Sequence, residues 1–262
     1  MQKSNKADFE CQKISLLFLL LGTFSCISTN ESKVTIAVAA NMQHTMQSLI
    51  AEFESSHDIR VETSSSSSGI LTTQIKQGAP FDIFLSADMN HPSMLHKEGF
   101  ASAPAVYAEG KLIFWTMNKE LILDSGIDIL IHPEIKKIAI ANAETAPYGF
   151  ATAEALKSSG LFHQLKSKLI IGESISQVNQ YVQTKNVDIG LTSQSVLYSP
   201  HLSVHSNWKA LSDTLYSPIR QGIVLLNHGK ENNLSNSEEF YNFMFSNRAK
   251  EILLNYGYQV SK

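Results

Sequence analysis

The segment IRVETSSSSSGILTTQIKQGAPFDIFLSAD, residues 59–88, decides the fold class. Ile59 to Thr63 alternates like a short strand. Ile70 to Gln77 has helical spacing and is closed by Gly78 and Pro80, and Phe81 to Leu85 is a second, mostly apolar strand. The serine run Ser64–Ser68 therefore sits at a strand-to-helix turn, although by composition alone five serines read as a flexible linker. In an open α/β sheet, ligands bind beyond the carboxyl ends of the strands. A helix start there presents unpaired N–H groups and the positive end of the helix dipole, both suited to an anion. Ser68 adds a hydroxyl, and Gly69 lets backbone come close to a ligand. The plainer reading makes Ser68 an N-cap on a solvated loop.

The same junction recurs along the chain. Val34 to Ala40 (VTIAVAA) has the apolar run of a buried parallel strand. Asn41 follows, then an amphipathic helix carrying Met42, Met46, Leu49, Ile50 and Phe53. Asn41 can cap that helix with its oxygen and donate its NH₂ group to a ligand. Lys137 to Ala141 is a strand leading into NAETAPYGF and a helix from about Ala151 to Lys157. Pro147 suits a helix start, and Tyr148 either faces the same site or packs on the first turn. Leu169 to Ile171 is a short strand before a helix from Ile175 to Gln183, and Val187 to Leu191 is a strand ending in Thr192-Ser193. Lys111 to Met117 and Tyr216 to Leu226 read as further strands, residues 200–216 as irregular, and Asn236 to Tyr256 as one or two helices. Two junctions in each half of the chain are what a ligand held between two lobes requires. The expected fold is α/β with two lobes, each a mostly parallel sheet flanked by helices.

Composition narrows the function. With 262 residues, 43% apolar and 17% charged, the chain can bury a core in one large domain or two lobes. A net charge of −3 without a basic stripe argues against a nucleic-acid partner. Lys3, Lys6 and Lys13 precede the apolar run Leu16–Leu21 and the small-residue stretch to Cys26, the pattern of a signal peptide over residues 1–26. That run is too short to span a bilayer, and residues 27–33 read as a tether. The expected location is periplasmic or at the cell surface. Cys11 and Cys26 are the only cysteines, so the body has no disulfide or thiolate chemistry. Cys26 is a lipidation candidate, although Thr23 and Phe24 depart from the usual lipoprotein pattern.

Common catalytic signatures are missing: there is no G-x-S-x-G, H-E-x-x-H or Walker A pattern. His201 and His205 are four apart in a Pro- and Ser-flanked segment and read as surface histidines rather than metal ligands. Asp82 and Asp88 read as hydrogen-bonding groups at a strand end and the next turn rather than an acid–base pair. No direct metal ligand and no cofactor are expected.

VTIAVAANMQHTM, SSSSSGILTTQIKQGAPFDIFLSAD, YAEGKLIFWT and APYGFATAEAL, in this order, resemble the periplasmic molybdate-binding proteins of ABC importers, and the resemblance covers nearly all of the chain after residue 33. It implies a two-lobed binding-protein fold (type II-like) with two crossing strands. It places lobe I at residues 34–109 plus 222–262 and lobe II at 110–221. The implied ligand is molybdate, with tungstate beside it, and the implied partners are the membrane subunits of an ABC permease served by a monomer. By motif it assigns Asn41, Ser68, Tyr148 and the backbone N–H groups of Ala40 and Ile175 to the oxyanion. Ser193 stands where one branch of the family has a ligand tyrosine, so its role stays open. Competing readings are a receptor for another tetrahedral oxyanion such as sulfate, a secreted hydrolase using Ser68 or Ser193, and a lipid-anchored sensor module.

Overall fold

A computed structural model describes residues 32–199 and 206–260. The leader with Cys26, and the pair His201 and His205, lie outside the described residues. Ten strands form two five-stranded sheets within the unit that begins at Ser32. The first sheet has the order β2-β1-β3-β10-β4, from β1 (Lys33–Ala39), β2 (Arg60–Ser66), β3 (Ile83–Leu85), β4 (Ala105–Gly110) and β10 (Ile219–Leu225). The second has the order β7-β6-β8-β5-β9, from β5 (Leu112–Thr116), β6 (Ile138–Ala141), β7 (Leu169–Gly172), β8 (Ile189–Ser193) and β9 (Asn207–Ala210). Lys111 alone separates β4 from β5, so the chain crosses between sheets in one extended run and returns between Ala210 and Ile219.

Both sheets are mixed rather than mostly parallel. β1 pairs in parallel with β2 and β3, while β10 runs antiparallel to β3 and β4. In the second sheet β6 is parallel to β7 and β8, and β5 is antiparallel to β8 and β9. The antiparallel pairs come from β10 and β5, one crossing strand in each sheet that runs against the others. The strands β1 and β6 are buried on both faces, as the runs VTIAVAA and IAIA require. β4 and β9 are strands that periodicity did not mark: AVYAEG and NWKA are too polar to stand out.

Helices cover the sheets. On the first lie α1 (Gln43–Ser56), α2 (Ser68–Lys76) and α3 (Asn90–Lys97), with α7 (Asn227–Asn232), α8 (Leu234–Phe243) and α9 (Asn247–Asn255) from the C-terminal part. On the second lie α4 (Pro147–Ser158), α5 (Phe162–Leu165) and α6 (Ile175–Gln183). α1 buries Met46, Leu49 and Phe53 against β1 and α8, where Phe53 meets Phe240 edge-on at 5.0 Å. Each such side chain contributes roughly 1.5–3 kcal/mol through burial. Asp82 ties the first sheet to the C-terminal helices: its carboxylate accepts from Thr35 N (2.8 Å), and from Asn233 Nδ2 (3.0 Å), and meets His228 Nδ1 at 2.8 Å. Asp88 binds His91 and Ser86 instead, so the two carboxylates are structural hydrogen-bonding groups. Among the described residues no helix is long and apolar enough to cross a membrane, and no group of His, Cys, Asp and Glu is placed to hold a metal ion.

Candidate functional site

Four strand-to-helix junctions converge on one cavity. It is lined by Ala39, Ala40, Asn41, Ser67, Ser68, Ala87, Ala146, Pro147, Tyr148 and Ile175. Ala40–Met42 is a 3₁₀ turn after β1, Ser68 opens α2 after β2, Pro147 opens α4 after β6, and Ile175 opens α6 after β7. First-turn N–H groups have no carbonyl of their own helix to bond, so every element offers donors here. A water-sized sphere has about 10 Å³ through which its centre can move. The void is therefore roughly 2.7 Å in radius once the sphere's own size is added, the order of size of one tetrahedral oxyanion.

Asn41, Ser68, Tyr148, Ile175 and Ala40 all line this cavity, and Ser193 does not. Ser193 Oγ lies 2.9 Å from Ser195 Oγ, which in turn donates to Asn41 O at 2.8 Å. Ser193 thus supports the loop around Asn41 from behind. Ser68 Oγ accepts from Ala87 N at 3.0 Å, which leaves its own proton free to donate. The residue that caps α2 is Ser67, one position earlier than the sequence suggests. Its hydroxyl bonds no backbone N–H of the helix, is buried, and has no partner among the described residues. Ser67 is therefore a further lining donor. The helix boundary concealed it, since an expected start at Gly69 or Ile70 makes Ser68 the cap.

Asn41 departs from expectation. It sits inside the 3₁₀ turn, caps nothing with its side chain, and its Oδ1 is buried without a partner. Its amide nitrogen donates to Gln221 Oε1 (3.0 Å) and to Tyr258 Oη (3.0 Å), so both hydrogens are committed. Tyr107 Oη also donates to Gln221 Oε1 (2.9 Å), and Gln221 Nε2 donates to Tyr148 Oη (3.3 Å). A buried polar network thus stands behind the cavity wall. Gln221, Tyr107 and Tyr258 carried no local signal; they lie up to 217 positions from Asn41 in the chain.

Gly69 also has another role than expected. Its N–H donates to Thr145 O at 2.8 Å, across from the first sheet's elements to the second's. A Cβ at Gly69 would lie 3.0 Å from both Thr145 Cα and Thr145 O. The missing side chain admits Thr145's backbone, not a ligand. Ser176 Oγ, which donates to Gln43 Oε1 at 2.8 Å, is a second tie across the same gap.

No ionised side chain lines the cavity. The phenols are held neutral: burial pushes Tyr148 and Tyr107 well above the usual tyrosine range and Tyr258 up to about 12. Lys76 is spent on Glu98 at 2.7 Å. A wider cleft of about 500 Å³ shares Ala146 and Pro147 with the cavity, and its lining is of mixed charge, with Asp88, Glu144 and Glu154 beside His91 and Arg220. Neutral donors suffice for an anion, because each hydrogen bond to a charged group is about twice as strong as a neutral one. Ser68→Ala should weaken anion binding by roughly 1.5–3 kcal/mol. It also leaves the buried Ala87 N–H without its acceptor, so the melting temperature should fall too. Calorimetric titration of the variant checks this, and unchanged affinity would remove Ser68 from the site.

The profile of the bacterial extracellular solute-binding protein family matches residues 34–259. The chain is similar to the molybdate-binding protein ModA of Azotobacter vinelandii, with 37% identity over 240 residues that cover 90% of this chain and 93% of the relative. It is 34% identical to ModA of Rhodobacter capsulatus over 228 residues, 86% of this chain and 88% of that one. Among solved structures, the Azotobacter vinelandii periplasmic molybdate-binding protein superposes with a TM-score of 0.82 at 27% identity, over 87% of this chain and 100% of the other. The Mycobacterium tuberculosis sulfate-binding protein SubI, 12% identical with a TM-score of 0.74 over 88% of each chain, shares the fold.

Proposed function

Because this chain belongs to the family of bacterial extracellular solute-binding proteins, we propose that it captures molybdate between its two lobes and delivers it to an ABC-type permease. The observation that carries the reading is the cavity, lined at the four helix starts by Ala40, Asn41, Ser67, Ser68, Tyr148 and Ile175 and by no carboxylate. Molybdate near neutral pH is a dianion with four acceptor oxygens and no proton, which such a lining satisfies. Phosphate keeps a proton and needs an acceptor, so a lining of donors disfavours it. Asn41 Oδ1 is a lining acceptor without a partner among the described residues, which makes phosphate a necessary arm of any test. Tungstate has molybdate's charge and shape and should bind beside it.

On this reading the protein is an exported monomer without catalytic activity or a cofactor of its own, and Cys26 is its candidate lipid tether. Closure of the lobes around the ion is what the permease would recognise. Thermal unfolding of the protein lacking residues 1–26 tests the ligand class. A ligand at about a thousand times its Kd adds about 4 kcal/mol to stability, so saturating molybdate or tungstate should raise the melting temperature by several degrees. Sulfate and phosphate should leave it near the ligand-free value. Stabilisation by sulfate with none by molybdate would reassign the ligand.

A further inference from the structure

Gln221 lies on β10, where the pairing with β4 shifts register between Gln221 and Gly222. Such an irregularity re-aims a side chain, and here Arg220 is exposed while Gln221 is fully buried. Its amide joins residues from both sides of the cavity: Oε1 accepts from Asn41 and Tyr107, and Nε2 donates to Tyr148. We propose that Gln221 is a positioning residue of the anion site, which holds the Asn41 amide in place and leaves the Tyr148 O–H free to donate into the cavity. This rests on the oxyanion reading above.

A phenol has one proton. Because Gln221 presents an N–H to Tyr148, the phenol oxygen acts there as an acceptor, and among the described residues its proton goes to no protein atom. An acceptor at the same place would take that proton and cost the anion a donor. The phenol cannot swing aside, because Gly110 lies against it so closely that a Cβ there would meet Tyr148 Oη at 1.9 Å. On the other flank, Gln221 Oε1 fixes the Asn41 amide together with Tyr258. The groups packed around the glutamine amide are phenols and amides. The nearby charges are held elsewhere: Glu109 lies 4.0 Å from Arg220 on the solvent side of the two strands, and Asp88 binds His91.

Gln221→Glu and Gln221→Met, each with and without Tyr148→Phe, test this with sodium molybdate by calorimetry. Melting curves establish that each variant is folded, and the methionine variant serves if the glutamate one does not fold. In the Gln221 background Tyr148→Phe should weaken binding by more than about tenfold, the effect of one hydrogen bond to an ion. In Gln221→Glu at pH 8.5 the same change should cost less than about twofold, because the ionised carboxylate takes the phenol's proton, whereas Gln221→Met should weaken molybdate binding by removing the acceptor that holds the Asn41 amide. For folded Gln221→Glu the affinity should also fall as pH rises from 6 to 8.5, since only the protonated acid can donate to Tyr148. A cost of Tyr148→Phe in Gln221→Glu at pH 8.5 equal to that in the Gln221 background, or no cost in either, would overturn the proposal and make Gln221 a filler of space, as would unchanged molybdate affinity in Gln221→Met. Absence of molybdate binding by the unsubstituted protein would instead overturn the ligand reading.

Discussion

Gly110→Ala is expected to reduce molybdate affinity by at least about tenfold. The new methyl would lie 1.9 Å from Tyr148 Oη, 3.0 Å from Tyr148 Cζ and 2.7 Å from Gln221 Nε2. Gly110 is not among the glycines with positive φ, so alanine strains no backbone and the damage is steric. Tyr148 is buried at 2% exposure and cannot yield to solvent. Overpacking of this kind costs roughly 1–3 kcal/mol, and a displaced phenol forfeits roughly 1.5–3 kcal/mol of bonding to the ion. The melting temperature should fall by several degrees, at about 2–4 °C per kcal/mol for a chain of this size. Adding Tyr148→Phe removes the atom of closest approach, so the double variant should regain stability without regaining affinity. Normal binding by Gly110→Ala would show that the phenol is not held where the ion needs it.

Gly69→Ala should separate stability from binding. Gly69 lies in the first turn of α2 without positive φ, so alanine suits the helix there by up to about 1 kcal/mol. Its Cβ would meet Thr145 Cα and O at 3.0 Å, a contact between elements of the two lobes, which part when the ion leaves if closure is the signal proposed above. The ligand-free variant should therefore melt at or above the temperature of the unsubstituted protein. Its molybdate affinity should fall by roughly 5–150-fold, the equivalent of 1–3 kcal/mol of overpacking at the seam. Scattering would show the liganded variant less compact than the liganded parent. Equal affinity and equal compaction would mean that the seam yields without cost and that Gly69 does not govern closure.

The parts of this protein legible in sequence are those written in local order. VTIAVAA, KIAIA and the breaks at Gly78 and Pro80 mark strands and turns because burial and backbone freedom act on neighbouring residues. Strand-to-helix junctions then point to donors, which is how Ser68 and Tyr148 could be named before the structure brought them to one cavity, whereas Ile175 was named only through the family resemblance. The remainder is set by contacts distant in sequence. Asn41 reads as a cap with a free amide, but Gln221 and Tyr258, 180 and 217 positions away, take both of its hydrogens. Gly69 reads as room for a ligand, but Thr145 occupies that room. Ser67 was hidden by a one-residue error in where α2 begins. The mixed character of the sheets was hidden because a crossing strand has the same composition whichever direction it runs.

The proposed holder of molybdate is a small cavity without ionised side chains. Isothermal titration of the protein lacking residues 1–26 with molybdate, followed by sulfate and phosphate titrated separately, tests it most directly. Tight binding of one molybdate per chain, with no heat from phosphate and at most weak heat from sulfate, is the predicted result. Tight phosphate or sulfate binding with no heat from molybdate would contradict it.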